Sequence, residues 1–455
     1  MANLLTSLYN TSNALNVFNA ALETTENNVV NSSTPGYAKQ IQSLSALPFD
    51  PSIGLPGGVA AGPMQSTRNG FAEQSVRTQQ SQLGVQQQMS NDLEALQNYF
   101  DLSSTSGVAA SMNALFNAFS QLSINPNDAT SRQAVLDQAQ QTSISFQHAA
   151  GGLGAVSSNV DDEIRGAINA IDELAGQIAN INTLRSQNAA NGMDAGVDAT
   201  LNAALEDLSQ YVDFKALRQP DGTVSIYLGG QTPLVFGSES LPIQADFSLP
   251  TTRIVDARGN DITGQITGGS LHGMLQVNNT LLPSYLGELN TLASTLADQV
   301  NSTLSNGIDL NGKNPDTDLF AYDAAAGAAG TLAVNALTPD QIAAAFPDAP
   351  GGNGNALALS QLNAARALNG ETFAQYYGVL AGNIGTDLSN AKDAASTDKQ
   401  LLTQAQSLRQ QLSGVSLDEE ASNLMMLQRA YQATAKLLGV INDLTGTLIN
   451  LIPQS

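Results

Sequence analysis

Two short stretches carry the residue types that ion-binding loops use. Residues 309–318, Asp-Leu-Asn-Gly-Lys-Asn-Pro-Asp-Thr-Asp, place carboxylates and amides close together, as a calcium loop does. However, the glycine stands fourth instead of sixth and Lys313 occupies a ligand position, so calcium binding is not expected. Residues 351–355, Gly-Gly-Asn-Gly-Asn, lack the Gly-Lys-Ser/Thr ending and the preceding strand of a phosphate-binding loop. Both stretches are therefore interpreted as ordinary loops.

Neighbouring carboxylates and two histidines are the remaining candidates for catalysis. Asp161, Asp162 and Glu163 could act as acid and base, but they open an amphipathic stretch where the helix dipole favours acidic residues. His148 and His272 lie far apart and have no visible partner for a nucleophilic triad. The chain has no Cys, which excludes disulfides and thiolate metal sites. We expect no enzyme, no cofactor and no metal site.

The composition favours helices packed side by side. The 455 residues suffice for about three domains, yet only 5% are aromatic and none is Trp, which is thin material for large compact cores. A formal charge of −23 repels phosphates and anionic lipid heads, so neither nucleic acid nor a membrane is an expected partner. No stretch reaches the roughly 20 apolar residues that cross a bilayer, and no cleavable signal peptide begins the chain. Taken alone, these features predict a cytoplasmic protein.

The last forty residues predict one long helix. Ser416 followed by Glu419 forms a capping box, Asp418 and Glu420 suit the positive end of the helix dipole, and no proline follows until Pro453. The apolar residues of this helix recur at heptad spacing and form one stripe. They are Leu417, Leu424, Leu427, Tyr431, Leu438, Ile441, Leu448 and Ile452. So long a stripe needs a second apolar surface.

The other end of the chain offers that surface. Its apolar residues also repeat by sevens, while Asn, Ser and Thr fill the other faces. They are Leu4, Leu8, Leu15, Phe18, Leu22 and Val29. A helix from Leu4 to Val29 is about 40 Å long and ends before the turn Thr34-Pro35-Gly36-Tyr37. The two terminal helices are therefore predicted to pair as a coiled coil.

The interior of the chain is predicted to be helical around a small β region. Proline and glycine exclude a helix over residues 38–67, where short strands could form at 41–47 and 59–61. Alternating apolar residues between turn signals predict a mostly antiparallel β domain at residues 214–274. The predicted internal helices cover residues 71–100, 108–122, 128–151, 156–191, 198–211, 275–305, 356–368 and 372–414. The fold class is therefore mainly α, with a long helix bundle and an inserted β domain.

Two motifs at opposite ends of the chain identify a family. The block Asn27-Asn28-Val29-Val30-Asn31-Ser32-Ser33-Thr34-Pro35-Gly36-Tyr37 resembles the N-terminal signature of the bacterial flagellar rod, hook and hook-associated axial proteins. The block from Ser413 to Tyr431, with Gly414-Val415-Ser416 and Gln428-Arg429-Ala430-Tyr431, resembles the C-terminal signature of that family. The residues of this second block resemble most closely those of the hook-associated members at the junction of hook and filament. Val30 and Ser33 stand where the family more often has Ala and Asn.

The resemblance implies a secreted structural subunit of the flagellum. Members of the family leave the cell unfolded through the flagellar type III export channel without a cleaved signal, after a transient stay in the cytoplasm. The implied partners are the hook protein, the second junction protein (hook-associated protein 3), other copies of the chain, and a cytoplasmic export chaperone at the C-terminal region. Alternatives in the same family are the second junction protein and a hook or rod subunit.

These observations predict three domains and one assembly interface. The terminal helices, residues 1–37 and 413–455, form an inner tube; residues 38–213 and 275–412 form a helix-rich bundle; residues 214–274 form the β domain. Because long helices without tertiary packing are marginal in water, we expect both ends to be largely disordered until copies assemble. The predicted interface residues are Leu8, Leu15, Phe18, Leu22, Leu424, Leu427, Tyr431, Leu438 and Ile441. Outside the family, an exported glycoside hydrolase and a cytoplasmic coiled-coil scaffold are the competing hypotheses.

Overall fold

The computed structural model describes residues 2–50, 55–100, 107–188 and 194–450, which form two compact units. Unit 1 comprises Met1–Gln82, Ala170–Ile243 and Asp398–Ser455, and unit 2 comprises Leu83–Asn169 and Gln244–Thr397. The helices are α1 (Ala2–Val30), α2 (Gly70–Glu94), α3 (Gly107–Ile124), α4 (Ala129–Asn188), α5 (Ala195–Tyr211), α6 (Gly269–Gln276), α7 (Leu282–Ser305), α8 (Ala328–Thr331), α9 (Gly354–Gln361), α10 (Phe373–Ser413) and α11 (Leu417–Asn450). The three proposed domains remain a prediction.

The strands are short and antiparallel. They are β1 (Gln40–Ala46), β2 (Phe49–Asp50), β3 (Leu55–Pro56), β4 (Val59–Ser66), β5 (Phe214–Arg218), β6 (Val224–Leu228), β7 (Thr232–Phe236), β8 (Glu239–Ser240), β9 (Gln244–Asp246), β10 (Arg253–Val255), β11 (Phe320–Ala321) and β12 (Ala333–Val334). The mainly α fold with a small antiparallel sheet region between long helices is confirmed. Four strands of the predicted β region form a sheet in unit 1, in the order β5-β6-β7-β8, whereas β9 and β10 pair in unit 2.

A two-stranded ribbon follows α1 in unit 1. Strand β1 pairs with β4, with Gln40 opposite Ser66 at one end and Ala46 opposite Val59 at the other. The ribbon lies along α1, where the side-chain amide of Asn10 donates to the carbonyl of Gly57 at 3.0 Å. The side-chain amide of Asn13 likewise donates to the carbonyl of Val59, so Asn residues on α1 satisfy carbonyl groups of the ribbon.

Helix α4 is one continuous helix of 60 residues. The predicted break between residues 151 and 156 is wrong, because the glycines there permit a close contact. A Cβ atom on Gly152 would lie 2.3 Å from the ring of Tyr99, so only glycine lets that ring approach the helix. The cost of glycine in a helix, about 1 kcal/mol, is small compared with the packing of a helix this long.

Unit 2 also buries a guanidinium group. Arg132 is 2% exposed and donates to the carbonyls of Pro126, Pro339 and Ile342. Burial lowers the pKa of Arg132, although Asp340 and Asp309 oppose that shift. Arg132 thus links the start of α4 to a loop about 200 residues later. The directional N–H donors of the guanidinium fix the position of that loop more specifically than apolar contacts do.

A buried carboxyl on α2 faces a second carboxyl on α4. Asp92 is 5% exposed; its Oδ1 accepts from Gln88 at 2.7 Å, and its Oδ2 has no hydrogen-bond partner. The same amide of Gln88 donates to Glu163. Burial and then the charge of Glu163 raise the pKa of Asp92 from 3.8 to about 7. Folding therefore favours the protonated form of Asp92.

The Asp92 site predicts how stability depends on pH. The folded protein holds this proton between pH 4 and 7 while the unfolded chain releases it, so the contribution of Asp92 to stability falls as pH rises through that range. Asp92→Asn removes this dependence. The free energy of unfolding of Asp92→Asn minus that of the parent, measured in urea, should rise by about 3 kcal/mol between pH 5 and pH 8. Asp137→Asn, at an exposed position of α4, controls for the loss of one charge. If the stability of Asp92→Asn depended on pH in the same way as that of the parent, the raised pKa of Asp92 would be contradicted.

Candidate assembly surface

The residues with catalytic potential are used in structural contacts. Asp161 accepts from Asn278 at 2.7 Å, Asp162 pairs with Arg165, and Glu163 accepts from Gln88. The His148 ring lies against Tyr99, and Nδ1 of His272 contacts the carbonyl of Ile266 at 2.8 Å. Asp309 accepts from the backbone N–H groups of Asn311 and Lys313. These contacts account for the residues without a catalytic role.

The described residues offer neither a metal cluster nor a membrane span. No group of three or more His, Asp or Glu side chains among them is arranged to hold a metal ion. None of the helices in the described part of the chain has the length and hydropathy needed to span a membrane.

Pairing of the terminal helices organises unit 1. Helices α1 and α11 pack against each other, and Asn28 near the carboxyl end of α1 donates to Glu420 near the amino end of α11 at 3.1 Å. The two helices therefore run antiparallel. The buried side chains of α1 include Thr11, Val17, Ala21, Thr25 and Asn28, and those of α11 include Glu420, Leu427 and Ile441.

A polar latch holds the meeting point of the two ends; we define it as Asn28, Tyr37, Lys39 and Glu420. Lys39 Nζ lies 2.9 Å from Glu420 and 2.9 Å from Glu419. Asn28 donates to the carbonyl of Gln40 at 2.8 Å and accepts from the Tyr37 hydroxyl at 2.9 Å. Burial lowers and the two glutamates raise the pKa of Lys39, with a net increase, so Lys39 stays charged. The latch thus satisfies polar groups that the helix pair buries.

The predicted Ser416 cap forms only in part. The backbone N–H of Glu419 donates to Ser416 Oγ at 3.5 Å, but the Glu419 carboxylate pairs with Lys39. The ion pair replaces the return bond of the predicted capping box because the lysine offers a charged donor.

The signature turn, Thr34 to Tyr37, contributes Tyr37 to the latch and packs on α5. Gly36 has φ +71°, and a Cβ there would lie 2.2 Å from the carbonyl oxygen of Ala199, so this position requires glycine twice over. The Gly36 carbonyl accepts from Arg68 at 2.6 Å. Contact with a helix, which sequence reasoning did not foresee, thus explains the turn.

Arg68 belongs to a buried charge network around Asp198. Its Nε lies 2.7 Å from Asp198, its Nη1 lies 2.6 Å from Glu73, and Arg185 lies 2.6 Å from Asp198. Burial works to raise the pKa of Asp198, but Arg68, Arg185 and Arg218 hold it below its ordinary value. The network therefore fixes the turn to α2, α4 and α5 within unit 1.

The nine predicted interface residues lie on the terminal helices with unequal burial. Leu427 and Ile441 are buried, Tyr431 is 38% exposed, and the others are half-buried, namely Leu8, Leu15, Phe18, Leu22, Leu424 and Leu438. Leu417 is 54% exposed, and Ile452 lies outside the described residues. Burial is concentrated near the latch and decreases toward the distal ends, where Thr11 and Ile441 are the outermost buried side chains among the described residues of the pair. One helix pair leaves this seam incompletely covered.

Helix α11 carries a second apolar row that sequence analysis missed. This outer row, separated by alternating steps of four and three residues, consists of Met426, Ala430, Ala433, Leu437, Val440 and Leu444. Its four large side chains are 53–61% exposed. The heptad spacing of these residues was an available signal, but the sequence analysis followed only the stripe from Leu417 to Ile452.

Glu420 and Glu419 offer a matched test of the latch. Both contact Lys39 at 2.9 Å, but the Glu420 side chain is 2% exposed and that of Glu419 is 60% exposed. Glu420→Ala should destabilise the junction of the two helices by about 3 kcal/mol, since it leaves buried donors unpaired. Glu419→Ala should cost less than about 1 kcal/mol. The loss of amide protection at residues 417–427 in hydrogen exchange measures both destabilisations. Equal losses in the two variants would contradict the role assigned to Glu420.

Comparison with known proteins identifies the family. A family model described as the helical domain of flagellar hook-associated protein FlgK matches residues 93–320, and one described as the flagellar basal body rod FlgEFG protein C-terminal matches residues 406–451. Flagellar hook-associated protein 1 of Bacillus subtilis (strain 168) is 26% identical over 488 residues, which cover 96% of each chain. The protein of the same name from Escherichia coli (strain K12) is 24% identical and covers 97% of this chain and 99% of its own.

A solved structure supports the fold. The flagellar hook junction protein FlgK from Burkholderia pseudomallei superposes with a TM-score of 0.66 at 17% identity, covering 74% of this chain and 99% of that chain. This likeness shows the fold, while the family match spans half of the sequence. The chain therefore belongs to the FlgK family of flagellar hook-associated proteins, which are structural subunits of the junction between hook and filament.

Proposed function

We propose that this chain forms the hook–filament junction of a flagellum and that its terminal helices assemble with those of other copies. The observation that carries the proposal is the incomplete burial of α1 and α11 in one copy, with half-buried leucines on the seam and four large apolar side chains exposed on the outer row. Burial of such side chains contributes about 1.5–3 kcal/mol each, so assembly has a ready driving force.

Membership in a structural family supports a non-catalytic role. The carboxylates that a glycoside hydrolase would need are engaged instead: Asp161 with Asn278, Asp162 with Arg165, and Glu163 with Gln88. As a junction subunit, the chain contacts the hook protein on one side and the second junction protein, hook-associated protein 3, on the other. Before export, a cytoplasmic flagellar chaperone covers the apolar C-terminal region.

The burial gradient refines the proposed folding on assembly. Residues near the latch are buried and charge-paired, whereas the distal halves of α1 and α11 have few fully buried side chains. We therefore propose that the distal halves are disordered in the exported monomer and become ordered when copies assemble. Disordered ends thread the export channel and cannot polymerise early.

Hydrogen exchange tests this gradient. In dilute monomer, amides of residues 2–15 and 435–450 should exchange at least about tenfold faster than those of residues 417–427, because they depend on contacts that assembly supplies. In sheared hook–filament complexes, both groups should be protected. Equal protection of the distal halves and the latch region in the monomer would refute folding on assembly.

Complementation in a deletion strain tests the junction role. Leu427→Asp places a charge at a position that is 8% exposed and should abolish filament attachment and swimming, since a buried unpaired charge prevents the helices from packing. Met425→Asp, on the same helix at a position that is 54% exposed, is the matched control and should swim. Electron microscopy of sheared flagella gives the readout, and attached filaments in the Leu427→Asp strain would overturn the proposal.

Export distinguishes the junction subunit from a cytoplasmic scaffold. A strain without the flagellar export gate should retain the whole chain in its cytoplasm, because no other secretion signal is proposed. Immunoblots of cells and medium measure the partition, with a periplasmic enzyme as a control for lysis. Secretion at the parental level would exclude the flagellar export route.

A further inference from the structure

The polar latch brings an amine, a carboxamide and a carboxylate together away from water. Asn28 and Glu420 are each 1% exposed, and the side chain of Lys39 is 12% exposed. All three residues belong to unit 1. An amine held beside a carboxamide displaces its nitrogen as ammonia when a neighbouring group moves protons between the two. The latch therefore has the residue types of an acyl-transfer site.

Glu420 bridges the two groups that would react. Its Oε1 lies 2.9 Å from Nζ of Lys39, and its Oε2 accepts from Nδ2 of Asn28 at 3.1 Å. One carboxylate thus contacts both the nitrogen that would attack and the nitrogen that would leave. Both distances suit proton transfer. Glu420 is therefore placed to act first as the base for the amine and then as the acid for the leaving group.

The carbonyl group of the Asn28 side chain is held by two donors. Its Oδ1 accepts from the backbone N–H of Gln40 at 2.9 Å and from the hydroxyl of Tyr37 at 2.9 Å. Its Nδ2 also donates to the carbonyl of Gln40 at 2.8 Å, which fixes the orientation of the carboxamide. Negative charge develops on Oδ1 when an amine adds to Cγ, and donors at these distances stabilise that charge. The latch thus contains the equivalent of an oxyanion hole.

The amine of Lys39 begins as an ammonium group. Burial lowers the pKa of Lys39, but Glu419 and Glu420 raise it further. Attack on the carboxamide therefore requires prior transfer of a proton to Glu420, and this requirement makes the step slow. Burial of the three groups also excludes most of the water that would hydrolyse the carboxamide instead. A slow reaction can thus give one product while the latch stays folded.

We propose that Lys39 and Asn28 form an isopeptide bond, an amide between their side chains, with Glu420 transferring the protons. Glu420 takes a proton from Lys39, Nζ adds to Cγ of Asn28, and the bond between Cγ and Nδ2 breaks. Nδ2 leaves with the protons that Nζ has lost, so ammonium is released and the chain loses one positive charge. No oxidant or reductant takes part.

The bond would close the segment from residue 28 to residue 39, which contains the signature turn. Glu420 comes from the opposite end of the chain, so the bond forms only after the terminal helices have paired. It would then hold the end of α1 against the start of β1 even when α11 separates. The inference needs one folded copy and does not rest on the proposed function.

Trypsin digestion followed by mass spectrometry detects this bond. Lys39 and Arg68 are the first two basic residues of the chain, so unmodified protein yields separate peptides ending at each of them. Trypsin does not cut after a lysine whose amine is acylated. We expect purified full-length protein, after incubation at neutral pH, to yield instead one peptide that ends at Arg68 and is lighter than its sequence by one ammonia.

Three variants separate the bond from other reactions. Lys39→Arg keeps the positive charge but supplies no nucleophile, so it should retain the ammonia and be cut at position 39. Glu420→Gln should slow bond formation at least about 100-fold, the lower range of general acid–base catalysis. Glu419→Gln, whose parent side chain is 60% exposed, is the matched control and should still form the bond. Hydrogen exchange at residues 417–427 verifies that the helix pair of Glu420→Gln is folded.

The parent protein alone decides the outcome, whether or not a variant folds. If its latch amides are protected and prolonged incubation still gives only the two separate peptides, the inference is overturned while the junction role stands. Loss of ammonia that persists in Lys39→Arg would indicate a cyclic imide at Asn28 and would also overturn it. Equal rates of bond formation in the parent and in folded Glu420→Gln would remove Glu420 from the proposed reaction.

Discussion

The antiparallel contact between the first and last helices is the constraint on which unit 1 depends. It brings residues almost 400 positions apart into one hydrogen bond, Asn28 to Glu420, and so closes the chain on itself. Closing so long a loop costs conformational entropy, which the apolar seam and the latch together offset. The latch adds charge-assisted contacts at the point where the two helices meet, and the buried Lys39–Glu420 pair makes that point specific as well as stable.

The latch depends on the signature turn, Thr34 to Tyr37. Within the latch Tyr37 donates to Asn28, while Gly36, one residue earlier, packs on α5 and accepts from Arg68. Because Arg68 also contacts Asp198 on α5 and Glu73 on α2, a single guanidinium connects the signature turn to two helices of unit 1. Long-range order at the start of the chain is therefore carried by a compact charge network, and the apolar seam extends outward from it.

The unequal burial of the terminal helices gives a physical basis for assembly. A half-buried apolar side chain contributes little burial free energy to the contact between the distal helices of one copy. It contributes more when a helix of another copy covers it. The unequal burial therefore fits the proposed export of the distal helices as flexible chain and their proposed ordering when copies meet. In that proposal the latch keeps the stable contacts within one copy, and the distal seam and outer row supply the contacts between copies.

The amino-acid sequence by itself determined the heptad stripes, the helical interior, the turn at residues 34–37 and the family, because periodicity and turn chemistry are local properties. It failed where glycine serves a distant contact: Gly152 suggested a break in α4, yet it accommodates the ring of Tyr99. Only the tertiary structure decided which apolar residues of α11 face α1 and which form the outer row, since both sets share one spacing. It alone also revealed the network around Asp198 and the raised pKa of Asp92, because these follow from burial and from neighbours remote in sequence.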